Sequence, residues 1–279
     1  METNDEHIQI IDTAGIEVFE AQERASIDTQ VATAKRYPRN LRRVLDSSVV
    51  IATMNKETAK SCRYAKPVGG KNINGPSVHL ARIIVQQYGN IRIQQRIKSI
   101  DARSVVAEAV AFDMETNYAV CVEARRSIID KGGKRYSDSV IETNAMAIMA
   151  IAERNAIFKV VPKSLIDHVY NEAFNCAFGE LTDNTKLLKE RDRIFRDFKN
   201  TYGLTEEEVL KSIGVNTKEA ITPEHIADLV GFIQALKDKE LTPDDIRNKG
   251  GVKKTAEEKK ADLKADIKAG KNATQPTLM

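Results

Sequence analysis

Two periods of hydrophobic alternation organise the first 163 residues. After Asn40, a residue type that caps helices, Leu41, Val44, Leu45, Ser48, Val49 and Ala52 recur at helical spacing and predict a helix over 41–52. The stretch SCRYAKPVGGKNINGPS (61–77) is dense in Gly, Pro and Asn and reads as a hairpin or an irregular loop with basic residues at both ends. Gly75-Pro76 is expected to open the next helix, with proline at its first position. Leu80, Ala81, Ile84, Val85 and Tyr88 share one face of that helix, and Gly89 suits its stop. Three strand-like runs follow, Ile91 to Ile100, Ser104 to Phe112 and Tyr118 to Ile129. The links between them are too short for a parallel crossover, so they predict an antiparallel meander. In the third run Tyr118, Val120, Val122 and Ala124 alternate with other residues and imply one buried face. A helix from about Ser139 to Lys159 carries Ala145, Met146, Ile148, Met149, Ile151 and Ala152 around much of its circumference, which predicts substantial burial. Pro162 ends it.

The remainder reads as helical. Leu187, Leu188, Ile194, Phe195 and Phe198 form an amphipathic stretch that stops at Tyr202-Gly203. Thr205 with Glu208 makes a capping box, and Thr222-Pro223 and Thr242-Pro243 are further helix starts. The expected organisation is an acidic N-terminal arm (1–35), a core (36–180), a helical C-terminal module (181–247) and a mobile Lys-rich tail (248–279). No internal repeat is visible. The fold class is α+β: a three-stranded antiparallel meander plus an N-terminal hairpin, packed against helices, with a small helical module behind it.

The chain has 279 residues, 42% hydrophobic and 30% charged, an ordinary soluble balance. No stretch approaches the roughly 18 apolar residues of a membrane span. The beginning METNDEHIQIID is acidic and lacks a secretory pattern, which with three scattered cysteines (Cys62, Cys121, Cys176) predicts a cytoplasmic protein without a disulfide framework. The net charge of +3 hides a strong asymmetry: −7 over residues 1–34, +12 over 35–163 and −2 over 164–279. A middle segment with that excess favours polyanions as partners. The competing reading spreads the same charges over several solvated faces.

Candidate chemistry narrows the picture mainly by failing. Gly69-Gly70-Lys71 suggests a phosphate loop, but Ala65 stands where the pattern needs Gly and Asn72 where it needs Ser or Thr. The four histidines are dispersed, and His79 has no Asp, Cys or second His beside it. A Mg²⁺-dependent nuclease or nucleotidyl transferase would have to use Asp113, Glu115 or Glu142, which form no evident cluster; Asp113 and Glu115 fall in a tight turn, where carboxylates serve the backbone. Glu153 reads as a rim position or a partner of Arg154, and Arg39 as a loop residue with an unspecific contact to DNA. No catalytic residue, metal or cofactor is assigned. What stands out instead is cationic. One set is Arg63, Lys66 and Lys71; a second is Arg125, Arg126, Lys131, Lys134 and Arg135 with Tyr136; a third is Arg154, Lys159 and Lys163. Cations flanking a sheet can track a phosphate backbone, and loop glycines such as Gly69, Gly70, Gly132 and Gly133 let main chain approach a ligand or simply make turns.

Residues Ser61 to Lys163, in the order hairpin, helix, three strands, helix, resemble the core shared by Rad52-type and RecT/Redβ-type single-strand annealing proteins. The resemblance places Arg63 at the arginine that opens the first hairpin, Gly69-Gly70 at the glycine run, and Tyr88-Gly89 at the aromatic-glycine pair ending the helix. Lys134 and Arg135 match a basic loop, and Arg154 and Lys159 fall where the second helix lines a DNA groove. This chain lacks the extended double run of basic residues of that helix. Residues 186–247, with the phrase GLTEEEVLKSIGV, resemble C-terminal modules of phage recombination proteins. The resemblance implies ATP-independent annealing of complementary strands, assembly into rings or filaments, a phage or prophage origin, and an exonuclease or host single-strand-binding protein as partner. A passive protector of single-stranded DNA and a protein-binding scaffold are the competing non-catalytic readings. The low aromatic content, 5% with no Trp, favours gripping phosphates over stacking many bases. The acidic first 34 residues either dock on a basic surface of a neighbour or screen the groove until DNA arrives.

Overall fold

A computed structural model of the chain describes residues 13–68, 71–130 and 132–248, with side chains from residue 20 onward. The first twelve residues of the arm, Gly69, Gly70, Lys131 and the tail beyond Asn248 lie outside the described residues. In chain order the elements are α1 (Thr13–Arg36), α2 (Leu41–Ala52), α3 (Lys56–Ser61), β1 (Arg63–Val68), β2 (Lys71–Pro76), α4 (Val78–Tyr88), β3 (Ile91–Ile100), β4 (Ser104–Asp113), β5 (Tyr118–Ser127), α5 (Asp138–Val160), α6 (Lys163–Phe178), α7 (Asn184–Tyr202), α8 (Glu206–Ile213), α9 (Pro223–Lys237) and α10 (Pro243–Arg247). The class is α+β, with a three-stranded antiparallel sheet in the order β3-β4-β5 and a two-stranded hairpin, β1-β2. Among the described residues no helix is long and apolar enough to cross a membrane.

The chain forms two compact units: Met1–Thr58 with Val78–Ala173, and Ala59–Ser77 with Phe174–Met279. This division departs from the expected one at the hairpin. β1 and β2 pack on α9, 150 residues downstream, and so belong with the C-terminal helices rather than with the meander.

In the meander unit the pleat of β4 turns Val105, Ala107, Ala109 and Ala111 to one face, all fully buried. These small side chains let α5 approach closely with Ile141, Ala145, Ile148, Ala152 and Ala156, which repeat at helical spacing. α4 packs on α5, and α2 on α4. Met146, expected inside, is 66% exposed because it lies on the helix face turned away from this packing. The register slips between Ile97 and Ser99, leaving Lys98 as the extra residue of a β-bulge in an edge strand. Asn40 caps α2 by accepting from the Arg43 N–H at 3.0 Å. α4 begins two residues after Pro76, not at it: Pro76 still pairs with Arg63, and the Ser77 N–H donates to the Cys62 carbonyl at 2.9 Å, extending the hairpin. Gly89 takes φ +64 at the end of α4.

The second unit is built on Phe198, Leu204, Ile226, Leu229 and Phe232, with Ala59 and Ala65 in the same core. The capping boxes at Thr205/Glu208 and Thr222 form, the latter with His225, and Thr242 makes a third with Asp245. Gly231 decides how closely α9 meets the hairpin. A Cβ there would stand 2.7 Å from both the Ala65 Cβ and the Ala65 backbone nitrogen. Gly231→Ala is therefore expected to destabilise this unit by about 1–3 kcal/mol. On an exposed helix face the same exchange would gain about 1 kcal/mol. The midpoint of urea unfolding distinguishes the two signs.

Candidate functional site

The turn between β3 and β4 is held by Asp101, whose carboxylate accepts from the N–H groups of Arg103 and Ser104, each at 2.7 Å, and from the Ser104 hydroxyl at 2.8 Å. The Arg103 N–H and the Ser104 contacts hold its pKa below the ordinary carboxylate value. Antiparallel pairing sets Ser104, Val105 and Val106 opposite Ser127, Arg126 and Arg125. Arg125 Nε donates to the Ser104 hydroxyl at 2.9 Å. The chain after β5 then folds back: the Ile128 N–H donates to the Arg103 carbonyl, Ile129 bridges to Arg135, and the Tyr136 N–H donates to the Ile128 carbonyl. Within that connection the Lys134 N–H donates to the Asp130 carboxylate at 2.9 Å, and Gly133 takes φ +82. Arg135 closes the arrangement by donating to the Asp101 carbonyl at 3.0 Å.

The consequence is a cationic end to the meander. Arg103, Arg125, Lys134 and Arg135 are exposed there with Tyr136, and Arg126 is half-buried. Of the carboxylates present, Asp101 accepts from backbone N–H groups and stands 3.8 Å from the Arg125 guanidinium, Asp130 accepts from the Lys134 N–H, and Asp138 is exposed in the first turn of α5, so the cations outnumber them. α5 starts at once beyond Tyr136; its N-cap Ser137 makes no side-chain capping bond, and Asp138 in its first turn offsets the positive end of the helix dipole. The outer face of the same sheet is different in kind. There Arg92 meets Glu23, Arg96 meets Glu108, and Lys98 bonds Glu108 and Glu123, leaving the face balanced.

Of the residues proposed from the sequence, the structure brings together Arg125, Arg126, Lys134, Arg135 and Tyr136. Arg103 joins them although the sequence did not mark it; its signal was the Asp101 turn, whose place beside the end of β5 only the pairing reveals. Arg154 is 7% exposed, buried along α5, and does not line an open groove. Lys159 lies at the C-terminal end of α5, about 30 Å from its first residue, Asp138, at 1.5 Å per residue. Lys163, just beyond, donates to Asp167 at 2.6 Å. Arg63, Lys66 and Lys71 belong to the hairpin of the second unit. Arg63 is 8% exposed and is held by Asp228 at 2.7 Å, with its guanidinium 5.3 Å from the Phe174 ring centroid. It is committed to the hairpin's own packing. Lys66 is half-buried and Lys71 exposed near the hairpin turn.

Asp113 and Glu115, weighed as metal-binding carboxylates, turn towards Arg39. Its guanidinium bonds Asp113 at 2.7 and 2.5 Å, its Nε stands 3.0 Å from Glu115, and Tyr88 stacks beneath it with a ring centroid at 3.8 Å. Burial alone would raise the Asp113 pKa; the hydrogen bonds from Arg39, the Glu115 N–H and Thr116 outweigh it and hold the value below the ordinary one. Glu142 is exposed on α5. Among the described residues no group of three or more His, Cys, Asp or Glu side chains is placed to hold a metal ion. The chain matches no family model, no curated protein and no solved structure.

Proposed function

We propose that this protein binds single-stranded DNA and anneals complementary strands without ATP, gripping phosphates at the cationic end formed by Arg103, Arg125, Arg126, Lys134 and Arg135. The observation that carries the reading is the contrast within one sheet: neutralised cations on its outer face, and an excess of exposed cations at the end where β3, β4, β5 and α5 meet. Guanidinium and ammonium groups on short turns bind phosphate oxygens without reading sequence. Tyr136 supplies one stacking surface, too little to sequester many bases, so base edges stay available for pairing. Within the meander unit, the order helix, three antiparallel strands, helix supports a Rad52/Redβ-like reading of the core, although the hairpin packs in the other unit. One such end spans only a few nucleotides, so a long strand requires copies arranged head to tail, as a ring or a filament according to whether the rotation closes. The helical second unit then serves an exonuclease or a single-strand-binding protein, and the cytoplasm of a phage-carrying host is the setting.

Charge reversal tests the assignment. Arg125→Glu, Lys134→Glu and Arg135→Glu together are expected to weaken binding of an unrelated-sequence oligonucleotide by about 100-fold at low salt and to flatten the log–log salt slope by about 2. Lys159→Glu, at the far end of α5, should leave the slope nearly unchanged. The wild-type chain should accelerate pairing of complementary oligonucleotides in EDTA without nucleotide. Binding without acceleration would favour passive protection, and absence of binding at low salt would overturn the proposal.

A further inference from the structure

The cationic end carries more than charge. Among the described residues its exposed large apolar side chains are Ile100, 51% exposed, Tyr136, 38%, and Val140, 40%. Strand register gives their side. Ile100 and Arg126 both stand opposite Val105, which is fully buried towards α5, so they share the α5 face of the sheet. Tyr136 and Val140 belong to the opening of α5 itself, where the Val140 N–H donates to the Ser137 carbonyl at 3.0 Å. Arg135 ties the two parts together: it precedes Tyr136, and its guanidinium donates at 3.0 Å to the carbonyl of Asp101, the residue after Ile100. The outer side of the same end exposes polar groups. Ser99 and Arg125 stand opposite Val106 there, Arg125 donates to the Ser104 hydroxyl, and Ser127 is exposed beside it.

A grip made of cations alone would not favour single strands. A duplex carries one phosphate charge per about 1.7 Å of axis, more densely than a single strand, so phosphate contacts by themselves give it the advantage. What an unpaired strand offers and a duplex withholds is the flat apolar face of each base. We propose that Ile100, Tyr136 and Val140 form a shelf for unpaired bases, and that this shelf sets the preference of the cationic end for single strands over duplex. The inference rests on the preceding assignment of that end as the phosphate grip. Phosphates lie along Arg103, Arg125 and Arg135, and the bases turn to the α5 side, where their faces meet the Tyr136 ring and the aliphatic Ile100 and Val140. Base edges, which carry the hydrogen-bonding groups, remain open to a complementary strand. Pairing then stacks each base on its neighbours, withdraws its face from the shelf and weakens the hold on the product, so duplex leaves while single strands stay.

Three probes of equal length separate the two kinds of contact: a single-stranded oligonucleotide, its duplex, and an abasic strand that keeps the sugar-phosphate backbone without bases. The wild-type chain is expected to bind the duplex and the abasic strand about tenfold more weakly than the ordinary single strand. Ile100→Ser with Tyr136→Ala is expected to erase that difference by lowering affinity for the ordinary strand, with the log–log salt slope unchanged because no phosphate contact is lost. Tyr136→Phe, which keeps the ring, should retain the selectivity. The chain has no Trp, so Tyr136→Trp supplies a single indole. Its fluorescence should be quenched by the ordinary strand and not by the duplex or the abasic strand. Wild-type affinity for the abasic strand equal to that for the ordinary one would overturn the inference and leave the phosphate grip standing. So would a double variant that weakens all three probes alike. Failure to bind any of the three at low salt would instead overturn the phosphate-grip reading on which the inference rests.

Discussion

Arg39→Ala is expected to destabilise the meander unit by about 3–5 kcal/mol, the range for removing one partner of a buried ion pair, and to lower its unfolding temperature by roughly 10 °C. The side chains of Arg39 and Asp113 are 7% and 4% exposed, and that of Glu115 is 15% exposed. Removing the guanidinium leaves two carboxylates facing each other without a counter-charge and strips the face of Tyr88 of its cation. The backbone anchors of the segment that joins α1 to α2 survive the exchange, since the residue-39 N–H still donates to Glu115 and Asn90 to the Tyr37 carbonyl, so the loss is that of the guanidinium alone. Arg39→Ala with Asp113→Ala should lose less than the two single variants summed, because the stranded charge is then gone. The pH dependence has a definite sign. The Asp113 pKa is depressed in the folded chain. Its contribution is therefore present above the unfolded-state value of about 3.9 and is lost as pH falls through the lower folded value. Thermal unfolding of the wild type should show an acid-side loss below about pH 4 that Arg39→Ala has already suffered and no longer shows in full.

The second large effect is Asp228→Ala in the other unit, expected to cost about 3 kcal/mol or more. The Asp228 carboxylate accepts from Arg63 at 2.7 Å, from Asn74 at 3.0 Å and from Asn72 at 3.2 Å, so one side chain on α9 gathers three donors of the hairpin. Its removal takes the carboxylate from the buried Arg63 guanidinium and the acceptor from two amides. The measurement also settles what Arg63 does. A structural Arg63 predicts that Asp228→Ala and Arg63→Ala lower the unfolding midpoint together, with strong coupling between them and an unchanged salt slope of DNA binding. An Arg63 that held phosphate would reduce the slope by about 0.7 while sparing stability.

The meander and its neighbouring helices were legible because their signals are local. Period-two runs bounded by short links specify antiparallel strands, and observed bounds differ from expected ones by no more than two residues. Asn40, Gly89, Gly203, Thr205 and Thr222 act within one helical turn of themselves, so their roles follow from neighbours in the chain. α1 was not foreseen as a helix; an acidic segment without a sharp apolar stripe carries no periodic signal. The hairpin was placed in the wrong company for a related reason: its partner α9 is distant in sequence, and the contact depends on Gly231, a residue that reads only as a weak helix former.

The cations divide along the same line. In a sequence every arginine looks alike. Arg125 and Arg135 remain at the surface because turns carry them, whereas Arg39 and Arg63 are drawn inward by carboxylates 74 and 165 residues away. By itself the chain determined the strands of its meander, the bounds of α2, α4 and α5, several further helix caps, and the −7 and +12 segments, because propensity, capping and composition act over a few residues. Only tertiary structure decided which positive charges are neutralised and which gather at one end. An ion pair is made by distance in space and by shared exclusion of water, and neither is encoded in the spacing of residues along the backbone.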